Sequence, residues 1–97
     1  MMVKLASSVR SRLVGLLSGQ VCPDGEILML VPCSSVHTYG MREHIDVAFI
    51  DSSFTVLTSH RRVPPARKLR HPHATAVLER RSCSAPWCQP GERLMIE

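Results

Sequence analysis

The clearest pattern along the chain is a short apolar run with one acid inside it. The segment Ile45–Ile50 is rich in β-branched and aromatic residues, which favour a pleated strand. Alternation along a strand places Ile45, Val47 and Phe49 on one face, with Asp46 and two apolar residues on the other. Both faces are largely apolar, so the pattern predicts a central strand that is covered on both sides.

Other apolar runs predict further strands. Pro32 ends the first of them, and the residue before a proline avoids the helical region, which favours an extended run up to Val31. The triplet Asp51–Ser53 predicts a tight turn, and the strands on either side of it therefore form a hairpin. The predicted strands are, in chain order, Glu26–Val31, Ile45–Ile50, Phe54–Ser59, Ala74–Glu79 and Arg93–Ile96.

The N-terminal part of the chain has helical rather than strand periodicity. Apolar residues recur there at i, i+4, i+7 and i+8, which forms one stripe along a helix. Ser7 or Ser8 can cap this helix through its hydroxyl group, and Gly19 suits the C-terminal cap. The pattern predicts one helix over Val9–Leu17.

These elements predict one domain over residues 1–97. The expected fold class is α+β and β-rich: a small barrel-like mixed sheet of about five or more short strands, with one N-terminal helix. The strands and their connections are too short for a sheet built from βαβ units.

Charge is unevenly distributed along the chain. The net charge is +4, and the segment His60–His73 contains five lysines and arginines and no acid. Such a segment attracts phosphates, but no aromatic residue lies within it to stack on bases, so nucleic acid is not an expected partner. Pro64 and Pro65 oppose regular structure, and the segment is predicted to be a solvated loop.

Hydropathy and cysteine usage bear on the compartment. No run approaches the roughly 18 apolar residues that a membrane span needs, so no span is expected. Arg10 and Arg12 interrupt the candidate hydrophobic region of a signal peptide, which predicts a cytoplasmic protein. Cysteines in a reducing compartment are expected to be thiols. The four are Cys22, Cys33, Cys83 and Cys88.

Polar chemistry is concentrated in Cys33–Glu43, just before the central strand. A carboxylate inside that strand must find hydrogen-bond donors, because burying an unpaired charge is costly. Asp46 therefore either accepts bonds from N–H groups of this loop or lies at a pocket and orients His37 or His44. The leading prediction is a non-enzymatic module that binds a small molecule, an anion or a protein, with no cofactor. Its predicted contacts are His37, Thr38, Met41 and Arg42, with Asp46 beneath them.

Two enzymatic alternatives use the same loop. Cys33, His37 and Asp46 are the residue types of a thiolate mechanism: a nucleophile, a base and a carboxylate that orients the base. Alternatively, Cys33 and His37 join Cys83 and Cys88 as four zinc ligands. The short Cys-x-x-Cys spacing of common zinc sites is missing, which weakens the zinc alternative.

Several motifs together resemble one known family. They are Gly15-Leu16, Pro32–Thr38, Gly40-Met41-Arg42, Ile45–Asp51, Ala76–Glu79 and Pro90–Leu94. In this order they resemble the domain of unknown function 192 family, over residues 12–94. The resemblance implies a compact β-barrel-like fold with a packed helix, and it implies no established activity. The chain departs from the family at Arg80–Cys83, where a glycine-containing turn is usual, and it shows neither the extra N-terminal strand nor the signal sequence of many members.

Overall fold

The chain is described by a computed structural model that covers residues 27–94. Four of its strands form an antiparallel sheet in the order β1-β6-β3-β4, and the other two form a separate antiparallel pair, β2-β5. We call this pair the ribbon. The strands are β1 (Leu28–Leu30), β2 (Ser35–His37), β3 (Ile45–Ile50), β4 (Val56–Val63), β5 (Lys68–Arg70) and β6 (Ala76–Arg81).

The strand β3 is the centre of the larger sheet. It pairs with β4 on one side and β6 on the other, and all six of its residues are buried. The hairpin before β4 is closed by Asp51, whose Oδ1 accepts hydrogen bonds from the N–H groups of Ser53 and Thr55 at 2.9 and 3.0 Å. The predicted central strand and its following turn are therefore confirmed.

The ribbon covers one face of this sheet. Val47, Phe49 and Val77 lie on that face, in a core cluster that also contains Val36 of β2. Leu69 of β5 packs against the same cluster. Each ribbon strand thus turns its one central apolar residue inward and its two polar residues outward.

The C-terminal segment covers the opposite face. Ala48, Ile50 and Leu78 form a second core cluster there, together with Trp87 and Leu94. The Trp87 indole N–H also donates to the backbone oxygen of Val47 at 3.3 Å, so the ring is anchored as well as buried. Cover on both faces explains why β3 is apolar on both sides.

The predicted fold class is wrong for the described residues. Within residues 27–94 all regular structure is strand, every pairing is antiparallel, and the two sheets are open rather than closed into a mixed barrel. The ribbon lies across the sheet through side-chain packing, so the backbone ladder does not continue around a barrel. The predicted helix Val9–Leu17 lies outside the described residues.

Local predictions failed mainly in the basic segment. Instead of a loop over His60–His73, β4 continues to Val63 and β5 follows at Lys68. The two prolines form the turn between these strands, where Ala66 has a positive φ of 67°. Pro-Pro ends a strand, but it does not prevent another from starting a few residues later.

Several further element boundaries differ from prediction. The loop Cys33–Glu43 contains β2, and β6 extends two residues beyond the predicted Glu79. The first predicted strand is reduced to Leu28–Leu30 within the described residues, and near the C-terminus Arg93 forms a single bridge with Thr55. Helices long and apolar enough to cross a membrane are absent from the part of the chain that the structure describes.

Candidate functional site

Asp46 is fully buried, and its carboxylate receives donors from three directions. Arg80 Nε lies 2.8 Å from Oδ2, and Oδ1 accepts bonds from Ser82 Oγ at 2.7 Å and from the backbone N–H of Arg62 at 2.9 Å. Arg80 lies directly opposite Asp46 in the β3–β6 register, which places the two side chains on the same face. The carboxylate is thus a buried group that holds neighbouring parts of the fold together.

The same network attaches the segment that follows β6. Arg80 donates to the backbone oxygens of Ala85 and Pro86 at 2.7 and 2.9 Å, and its guanidinium carbon lies 4.6 Å from the centroid of the Trp87 ring. Arg61 donates to Ala85 O at 3.0 Å and also to Cys83 O at 2.7 Å. Two arginines therefore connect the sheet to this loop.

The pKa of Asp46 follows from opposing effects. Burial by itself raises it, but the hydrogen bonds from Ser82, the Arg62 N–H and Arg80, with the charge of Arg80, bring the pKa below its ordinary value. The side chain is therefore ionised at neutral pH. The predicted roles, as the floor of a pocket or as the orienter of His37 or His44, are not what the structure shows: these bonds come from other residues, and the carboxylate lies on the face opposite the ribbon.

The proposed thiolate residues are not assembled. Cys33 directs its Sγ to the backbone oxygen of Ser35 at 3.1 Å, and His37 is exposed on the ribbon, where its ring stacks on Tyr39. Asp46 belongs to the other face of the larger sheet. A nucleophile, base and orienting acid in mutual contact are therefore absent from this arrangement of the described residues.

Two of the four predicted zinc ligands, Cys83 and Cys88, are not available as thiolates. Cys83 is disulfide-bonded, so it offers no thiolate, and this also corrects the expectation that all four cysteines are thiols. Cys88 is a fully buried free thiol, and burial raises its pKa to about 12. Residues 27–94 contain no group of three or more His, Cys, Asp or Glu side chains placed to hold a metal ion.

Thr38, predicted to contact a ligand, instead fastens the ribbon. It is fully buried, its hydroxyl donates to the backbone oxygen of Pro64 at 2.7 Å, and it accepts the N–H of Arg67 at 2.8 Å. Met41 is partly buried against the core cluster under the ribbon. Of the predicted contacts, His37 and Arg42 are exposed to solvent.

The exposed side of the ribbon brings together residues that are distant in sequence. His37 lies opposite Lys68 and Ser35 opposite Arg70, and all four are exposed while the residues between them point inward. Tyr39 follows β2 with 57% of its surface exposed; its ring centroid lies 5.4 Å from that of His37, at an interplanar angle of 28°. We call Ser35, His37, Tyr39, Lys68 and Arg70 the ribbon outer surface.

The acids of the described residues lie outside the two ribbon strands. Neither β2 nor β5 contains an acid. Asp46 and Glu79 are buried in the larger sheet, and Glu43 forms an exposed pair with Arg81 at 2.6 Å. The ribbon strands therefore carry positive charge without an acidic residue of their own to neutralise it.

Sequence reasoning missed this surface because its two strands are only three residues long. Such strands are too short to show periodicity, although Ser-Val-His and Lys-Leu-Arg both read polar, apolar, polar. In the sequence, no aromatic residue lies within the basic segment, which argues against a stacking platform. In the folded chain, however, Tyr39 stacks on the residue that faces Lys68.

Comparison with known proteins is consistent with the earlier resemblance. The model of the DUF192 family, whose description is "Uncharacterized ACR", matches residues 1–95. No curated protein and no solved structure matches the chain. The resemblance found in the motifs is thus confirmed over nearly the whole length, and the chain belongs to the DUF192 family.

Proposed function

We propose that this protein is a non-enzymatic module that binds anions at the ribbon outer surface. The observation that carries the proposal is the pairing of exposed Lys68 and Arg70 with His37 and Ser35 on strands that contain no acid. The proposal keeps His37 from the predicted contacts and replaces Thr38, Met41 and Asp46, which have structural roles.

The residue types suit phosphate groups. The guanidinium group of Arg70 can donate two parallel hydrogen bonds to one anion, and the ammonium group of Lys68 supplies a mobile point charge. Ser35 adds a hydroxyl donor next to Arg70. Arg42 is exposed in the loop after Tyr39, three residues further along the chain. Because these groups are solvated, the attraction is moderate and weakens with salt.

Binding is favoured over catalysis because of where the reactive residues lie. Cys33 and His37 belong to the ribbon side of the sheet, whereas Asp46 is bonded to Arg80 on the other side. A thiolate mechanism needs base and nucleophile within hydrogen-bond reach, with the base oriented by the acid. Anion binding needs only the exposed cations.

Inorganic polyphosphate is the probe that tests this function, with calorimetry at low and at moderate salt. The double variant Lys68→Ala/Arg70→Ala should bind about fivefold to tenfold more weakly than the unmodified protein, with a smaller salt dependence. The matched control is Arg93→Ala, an exposed arginine on the C-terminal segment that covers the opposite face. If the double variant and the control bind polyphosphate equally well, the ribbon is not the binding surface.

The cytoplasmic location predicted from the sequence is in conflict with the Cys83 disulfide. Disulfides persist in oxidising compartments and are rare where glutathione and thioredoxin keep thiols reduced. We therefore propose an oxidising compartment. Lysis directly into denaturant that contains excess alkylating agent, followed by mass measurement, tests this: a chain that carries four alkyl groups would contradict it.

A further inference from the structure

Resting on the proposed anion site, we infer that the ribbon outer surface binds a nucleotide with an unpaired base. The base stacks on Tyr39, and the phosphates, which the sugar joins to the base, bind Lys68 and Arg70. Both a free nucleotide and a single strand of nucleic acid present this chemistry. A paired duplex does not, because its bases are stacked inside.

The exposure of Tyr39 is the first argument. The other aromatic side chains of the described residues, those of Trp87, Phe49 and Phe54, are buried or partly buried in the core clusters. Tyr39 is the only large hydrophobic residue that is exposed within residues 27–94, with 57% of its surface open to solvent. A phenol ring at such a position offers a flat area that a base can cover, and stacking tolerates any base.

The second argument is the position of the charges relative to this ring. His37, on which Tyr39 stacks, is directly opposite Lys68 across the ribbon, at the spacing of neighbouring strands of about 4.8 Å. Arg70 lies two residues further along the same face, roughly 6.7 Å away. A row of cations thus begins beside the aromatic pair and runs away from it, as a chain of phosphates does from its base.

The third argument is that the backbone beneath the aromatic pair is held in place. Thr38, between His37 and Tyr39, is fully buried and bonded through both its hydroxyl and its amide. Its N–H donates to Arg67 O at 2.8 Å, next to Lys68. The backbone that carries the aromatic and basic residues is therefore held in place before a ligand arrives, which lowers the cost of ordering the backbone on binding.

The test compares thymidine triphosphate with inorganic triphosphate, which share their phosphates and differ by the nucleoside. We expect the nucleotide to bind roughly 5- to 100-fold more tightly, the range that one stacked base gives. Tyr39→Ala should abolish this advantage, so that the nucleotide and inorganic triphosphate bind the variant with similar affinity. Tyr39→Phe keeps the ring and should retain the advantage.

The possible outcomes separate this inference from the proposed function. Equal binding of the two triphosphates, or an advantage that survives Tyr39→Ala, overturns the nucleotide inference and leaves the anion site in place. Absence of binding to both overturns both proposals.

A short thymidine oligonucleotide then distinguishes the two sources of the ligand. Tighter binding than thymidine triphosphate, with a salt slope that falls by about 0.7 in Lys68→Ala, supports a single strand. Equal or weaker binding of the oligonucleotide supports a free nucleotide.

Discussion

At the scale of the residue, Asp46 shows how a single buried carboxylate is stabilised by distant parts of the chain. Its donors come from the N–H of Arg62 in β4, from Arg80 in β6 and from Ser82 in the following loop. Glu43 and Arg81 form a similar ion pair, with 2.6 Å between Oε1 and Nε, but their side chains are 58% and 63% exposed. The two pairs therefore differ in burial more than in distance, and burial makes the Asp46–Arg80 pair the more important one for stability.

The variant Asp46→Ala leaves the buried Arg80 without its counter-ion. Breaking a buried pair in this way should lower the free energy of unfolding by about 3–5 kcal/mol, measured by urea denaturation. Glu43→Ala breaks only the exposed pair and should cost about 0–1 kcal/mol. Similar losses in both variants would show that the Asp46 network contributes no more than a surface ion pair.

At the scale of the element, the ribbon is held by two kinds of contact. Val36 and Leu69 bury apolar surface against the larger sheet. Thr38 joins the end of β2 to the turn between β4 and β5 through its bonds to Pro64 and Arg67. The proposed binding surface depends on this attachment, because it aligns Tyr39 and His37 with Lys68.

Replacing Thr38 by valine keeps the shape and removes the hydroxyl. The N–H of Arg67 loses its Oγ1 acceptor, so the free energy of unfolding should fall by about 1–3 kcal/mol. Thr38→Ser retains the hydroxyl and is the matched control. Amide hydrogen exchange at Arg67 should be faster in Thr38→Val and nearly unchanged in Thr38→Ser; equal rates in the two variants would rule out the hydroxyl as the fastening group.

At the scale of the whole molecule, stability should respond to pH through buried ionisable groups. Glu79 is 4% exposed, lies between Leu28 and Val47 in the sheet, and its Oε2 has no hydrogen-bond donor among the described residues. Burial raises the pKa of Glu79 to about 7. Between its ordinary pKa and this raised pKa, the Glu79 carboxyl group is therefore protonated in the folded protein and ionised in the unfolded chain.

The sign of the pH effect follows from that difference. The folded state binds the extra proton between about pH 4.5 and pH 7, so Glu79 makes the free energy of unfolding fall as pH rises, by about 3 kcal/mol in total. His60 lies opposite Val47 in the β3–β4 pairing, and burial lowers its pKa. Its titration therefore makes the free energy of unfolding rise with pH, opposite to the effect of Glu79. Asp46, with its lowered pKa, contributes stability that is lost only at more acidic pH.

Glu79→Gln isolates the contribution of this one group. The variant lacks the titration, so its stability relative to the unmodified protein should increase as pH rises from about 4.5 to 7. Urea denaturation at a series of pH values measures the difference, and His60 cancels because both proteins contain it. A constant difference across this range would mean that Glu79 does not titrate there.

Local pattern was enough to predict the central strand, the Asp51 turn and most of β6, since alternation and turn chemistry act between near neighbours. It also carried the family resemblance. The short strands β2 and β5 escaped prediction because three residues give no measurable period, and their pairing depends on contacts across the chain.

The candidate site was likewise predictable in part from the sequence, and the rest depended on the tertiary structure. The residue types alone marked Asp46 as a buried carboxylate that needs donors, because desolvation of a charge demands partners wherever the residue lies. Which donors it receives, and that Tyr39 and Lys68 share one surface, follow from strand pairings that join distant segments. Local propensities do not specify such pairings, because the free energy that selects them comes from burial of the whole core.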